Sequence, residues 1–109
     1  MKNIFFASLL LLSVNSFASN LLCSLKVNLE TIDEREIEVS AKEKVNFTDY
    51  ENYRFFITNN SNDQYTIEVF DGDTPSRSYA TGILKNQNDS VKWSLWTRDI
   101  ILDADCSLL

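Results

Sequence analysis

Two cysteines, sixteen carboxylate side chains and no histidine bound the chemistry open to this 109-residue chain. Without histidine, the usual general base for a serine or cysteine nucleophile is missing, and so is the commonest zinc ligand. No P-loop or Gly-rich dinucleotide fingerprint occurs. Paired carboxylates can cleave glycosides, but that work needs a groove and one acid of raised pKa, for which a short chain has little room. The protein is therefore not expected to be an enzyme. Asp71 and Asp73 flank Gly72 in a turn-like stretch. They are the candidate metal ligands, calcium being the ion that suits clustered oxygens. The triplet lacks the EF-hand continuation and is also ordinary turn chemistry. No other cofactor is expected.

Cys23 and Cys106 lie near opposite ends of the chain. Each sits in a stretch with the period of two that marks a strand buried on one face. Cys23, Leu25, Val27 and Leu29 share one side of the first, while Ile100, Leu102, Ala104, Cys106 and Leu108 share one side of the last. The simplest pairing of two cysteines in an exported chain is a single disulfide, here joining first strand to last. Closing so long a loop is worth roughly 4–5 kcal/mol in the chain-entropy account. Lipid attachment at Cys23 is the competing use. It is disfavoured because Leu22 puts a large residue before the cysteine and because Cys106 would lose its partner.

Export is read from residues 1–18. Lys2 supplies the positive start, Ile4 to Val14 is apolar apart from Ser8 and Ser13, and Ser16-Phe17-Ala18 gives small residues where a signal peptidase cuts. The apolar run is too short to span a bilayer as a helix. One domain, 19–109, then remains, secreted or periplasmic. Ten basic residues against sixteen acidic give −6, one unit more negative once Lys2 is removed. Such a balance offers no basic footprint for nucleic acid or for anionic lipid. Neither nucleic-acid binding nor stable membrane insertion is expected.

The positioning elements are read as strands. The first strand is expected to end at an acidic turn around Thr31 to Arg35. Residues 32–45 are ambiguous: Thr31-Ile32-Asp33-Glu34 fits a helix capping box, and Ile37, Ala41 and Val45 recur at helical spacing. Strand parity across Ile37, Val39, Ala41, Val45 and Phe47 fits better. Tyr53-Phe55-Ile57 and Tyr65-Ile67-Val69 read as a hairpin around the Asn59 to Asp63 turn cluster. Asp71 to Ser76 is a second loop. Tyr79 to Leu84 is a weaker strand with an expected bulge at Gly82, and Val91, Trp93, Leu95 and Thr97 alternate after a third turn at Asn86 to Ser90. Seven or eight short strands make an all-β, antiparallel sandwich or small barrel. The cysteine pair lacks the central Trp relationship of true immunoglobulin domains, so any likeness is architectural.

Phe56, Phe70 and Trp96 fall on the side opposite each strand's core set. If they gather, they form an exposed aromatic patch, the mark of a partner-binding surface. The expected function is thus a small exported, non-enzymatic binding module for an unknown protein or glycan. The alternative is a calcium-assisted or inhibitor-like domain that binds through its loops. Asn46-Phe47-Thr48, Asn59-Asn60-Ser61 and Asn88-Asp89-Ser90 match the glycosylation pattern, which an Asn-rich chain also produces by chance.

Overall fold

The computed structural model describes residues 18–109. The expected leader, residues 1–18, lies outside them except for Ala18, which opens the first strand. Eight strands follow in chain order: β1 (Ala18–Val27), β2 (Glu30–Ser40), β3 (Lys44–Tyr50), β4 (Tyr53–Ser61), β5 (Gln64–Asp71), β6 (Ser76–Ile83), β7 (Ser90–Trp96) and β8 (Ile101–Leu108). They form two four-stranded antiparallel sheets, β2-β1-β8-β7 and β3-β4-β5-β6. No helix occurs among the described residues. The ambiguous stretch is strand on either side of a turn at Lys42, where φ is positive. Val39 and Phe47 bury fully from opposite sheets across that turn.

The two sheets close on the alternating residues seen in the sequence. Leu21, Leu25, Phe47, Phe55, Ile57, Ile67 and Leu102 are sealed from solvent. Phe55 stands edge-on to Trp93 with ring centroids 5.7 Å apart and planes at 79°, a favoured arrangement for two quadrupoles. The Trp93 indole Nε1 donates to Ser78 Oγ at 2.9 Å, so its one polar atom is satisfied. Tyr65 donates its hydroxyl to Ser19 Oγ at 2.7 Å and ties the sheets at one end.

Cys23 faces Cys106 directly in the β1–β8 ladder, their Cα atoms 4.1 Å apart, and the two sulfurs are bonded. The bridge therefore joins neighbouring central strands of one sheet, and it leaves no thiol at Cys23 for a lipid. Both cysteines are buried. A buried structural disulfide points to a fold that matures outside the reducing cytoplasm. No helix among the described residues is long and apolar enough to cross a membrane.

Three sequence expectations need correction. The first turn is not the acidic Thr31–Arg35 segment but Asn28-Leu29, both at positive φ (52° and 71°), as a tight two-residue hairpin requires. Leu29, expected on the inward face, is 71 % exposed. The acidic run instead forms β2, an edge strand whose outward Glu34, Glu36 and Glu38 discourage pairing with another chain. Asp33, directly opposite buried Leu25, turns toward the second sheet and accepts a hydrogen bond from Thr48 Oγ1 at 2.6 Å. That bond, followed by its contacts with Arg35, holds the Asp33 carboxyl below the usual range despite partial desolvation. Gly82 makes no bulge, since β5–β6 runs without a register shift. A Cβ there would meet Val91 Cβ at 3.3 Å, so the glycine lets β6 and β7 approach closely.

Candidate functional site

The outer face of β1-β8-β7 carries a regular arrangement of charges that follows from the register alone. Lys26, Asp103 and Ser94 lie abreast across the three strands, and Ser24, Asp105 and Lys92 lie abreast in the next row. Ser94 Oγ donates to Asp103 Oδ1 at 2.5 Å, and Ser24 Oγ donates to Asp105 Oδ1 at 2.7 Å. Each aspartate thus takes a hydroxyl from one neighbouring strand and faces a lysine on the other. Neither lysine closes an ion pair among the described residues. A shallow groove of ≈ 260 Å³ runs over this floor, bordered by Leu29.

Trp96 occupies the next outward position along β7, opposite Ile101, and is 72 % exposed. Its mount is rigid. Thr97 N donates to Ile100 O at 2.9 Å, and Thr97 Oγ1 accepts from Asp99 N and Ile100 N, a local side-chain-to-backbone turn. On the other side Asn28 N donates to Ile101 O at 2.8 Å, while Asn28 Oδ1 accepts from Ile101 N. These bonds fasten the β1–β2 turn to the start of β8, so Leu29, Ile101 and Trp96 succeed one another across one end of the sheet. Exposed apolar side chains rimmed by polar residues mark interaction surfaces.

Phe56 and Phe70 also face outward, but from the other sheet. The expected three-ring patch is corrected accordingly: parity tells which side of its own sheet a ring leaves, and Trp96 leaves the opposite side of the sandwich. Phe56 lies opposite Glu68, and Phe70 lies between Arg54 and Arg77. Glu68, only 8 % exposed, is paired with Lys44 and with Arg77, each at 3.3 Å. The same two cations sit over the rings, Lys44 5.0 Å from Phe56 and Arg77 4.9 Å from Phe70. The ring faces are thus covered by the protein's own side chains. Tyr79, 61 % exposed opposite Glu68, joins this face and escaped sequence reading because β6 shows little alternation.

Asp71 is committed to its turn. Its Oδ1 accepts from Asn52 Nδ2 at 2.6 Å and from Asp73 N at 3.0 Å, and Gly72 N donates to Asn52 O. Among the described residues no three Cys, Asp or Glu side chains converge as a metal would need. Two of the three glycosylation triplets are already engaged. Asn46 Nδ2 donates to Phe55 O and Asp49, at a bulge that turns Phe47 and Thr48 both inward, and buried Asn59 donates to Val39 O. Compared with known proteins, the chain matches no family model, no curated protein and no solved structure.

Proposed function

We propose that the protein is a small exported, non-enzymatic interaction module, secreted or periplasmic, that engages a protein partner through the outer face of β1-β8-β7. Trp96 is the anchor. The observation that carries this reading is a tryptophan 72 % exposed at the end of β7, beside a hydrogen-bonded turn, with Leu29 71 % exposed at the same end of the sheet. Ordering a large side chain with only two rotatable bonds on binding costs little entropy, and Trp leads the residue types that anchor interfaces. Phe56 and Phe70 are less apt, since a partner would first have to displace Lys44 and Arg77.

The test compares wild type with Trp96→Ala as immobilised bait for proteins of the native envelope or medium. The variant should capture the partner roughly ten times less well or worse. Its melting temperature should change by no more than about 3 °C, as for a surface substitution in a domain this size. Equal capture by both proteins would remove Trp96 from the surface and end the proposal.

A further inference from the structure

We infer that one partner of this face is a second copy of the chain, docked through the outer side of the β7–β8 hairpin about a two-fold axis. The inference rests on the reading of that face as an interaction surface. An isologous interface requires a patch that complements itself, each residue meeting a different residue that it also meets in return. The hairpin satisfies this requirement by register. A two-fold axis lying over the face, parallel to the strands and midway between β7 and β8, places every outward side chain over the cross-strand neighbour of the other copy. Lys92 of each copy then meets Asp105 of the other, Trp96 meets Ile101, and Ser94 meets Asp103.

The charges select this arrangement. Within one copy Lys92 and Asp105 are register partners, yet the carboxylate is held by Ser24 from the far side and the ammonium is left without an ion pair among the described residues. Over the two strands that overlap, Lys92 offsets one of the two aspartates, and Lys26 on neighbouring β1 faces the other. The β1-β8-β7 face thus sums to zero, and the overlapping strip carries a single negative unit in a chain of net charge −6. Two acidic molecules that repel elsewhere can approach here, and reciprocal opposite charges favour this orientation over others. Glu34, Glu36 and Glu38 on β2 stand two strands from β8, and the two-fold carries them past the other copy's β7 edge. Stacking also closes the apolar end, with each Trp96 over an Ile101 and each Leu29 at one side of the four-residue strip. Overlap of two strands per copy keeps the buried area below roughly 1,200 Å², the range of weak, reversible association.

Sedimentation velocity on the chain from Ser19 onward, between about 10 µM and about 1 mM, tests this directly. Wild type should shift from monomer toward dimer across that range, and Trp96→Ala should raise the dissociation constant roughly tenfold or more. Lys92→Glu alone sets a second carboxylate against Asp105 of the other copy, and Asp105→Lys alone sets a second ammonium against the other copy's Lys92, so each variant should stay monomeric. Mixed together, the two variants bring opposite charges together at both contacts and should form a heterodimer. Thermal melts of both confirm that each is folded before mixing. Wild type that is monomeric at about 1 mM, or a mixture no more associated than its parts, overturns the inference. Loss of bait capture by Trp96→Ala would still stand in that case, since it reads binding to other proteins, so failure here and failure of the interaction surface are told apart.

Discussion

Replacing both cysteines, Cys23→Ala with Cys106→Ala, should remove a large share of the protein's stability. The bridge spans 83 positions, and closing a loop of that length removes about 4.5 kcal/mol of conformational entropy from the unfolded chain. Both sulfurs are buried in the core, so their removal adds about 1 kcal/mol of lost packing. A domain of this length has about 5–14 kcal/mol to lose. Urea unfolding at equilibrium measures the effect, and its slope should steepen because an unbridged chain exposes more surface on unfolding. Wild type kept reduced throughout separates the two contributions: it retains the sulfur atoms and should lose only the entropic part. A loss under about 1.5 kcal/mol with an unchanged slope would refute the reasoning. It would mean that the unfolded chain already holds its ends together.

Of three further predictions, two probe the seams between the sheets and the third a turn within one sheet. Thr48→Val should destabilise by about 1 kcal/mol at neutral pH, since Thr48 is the chief stabiliser of the partly exposed Asp33 carboxylate. A lowered carboxyl pKa stabilises the fold above the unfolded value near 3.9 and ceases to do so as pH falls through the folded one. The gap between wild type and variant, followed by thermal melts, should therefore close below about pH 4. Gly82→Ala should cost about 1–2 kcal/mol by pressing on Val91. Gly72→Ala, whose Cβ would stand 3.4 Å from the nearest atom and whose φ is not positive, should be neutral or slightly stabilising in the same melts.

Alternation made most of the sandwich legible, but it could not show where the chain turns back. Leu29 continues the inward parity of Cys23, Leu25 and Val27, so apolar character ran through a turn that only backbone angles reveal. The glutamates of β2 looked like turn composition because an edge strand's guard and a loop share the same polar residues. Nor can parity alone assign a strand to a sheet, so it groups Trp96 with Phe56 and Phe70 although they leave opposite sides of the sandwich. The charged rows were closer to hand. Once Cys23 is opposite Cys106 on antiparallel strands, Ser24 must oppose Asp105 and Lys26 must oppose Asp103, since each step forward on β1 is a step back on β8. The third strand of that face, with Lys92 and Ser94, follows from the hairpin closed by Thr97 and Ile100.

The central position of β1 and β8 has a consequence for how the molecule can be displayed. Leu21 pairs with Leu108 at one end of this ladder, where Leu109 N donates to Asn20 O, whereas Val27 pairs with Leu102 near Trp96. Ala18 and Leu109 thus lie at one pole, and Trp96 crowns the other, about 20 Å away along the strands. A tether entering at Ala18 or leaving at Leu109 would hold the tryptophan pole outward, and a short linker joining those two positions would permit circular permutation with new ends opened at an exposed turn.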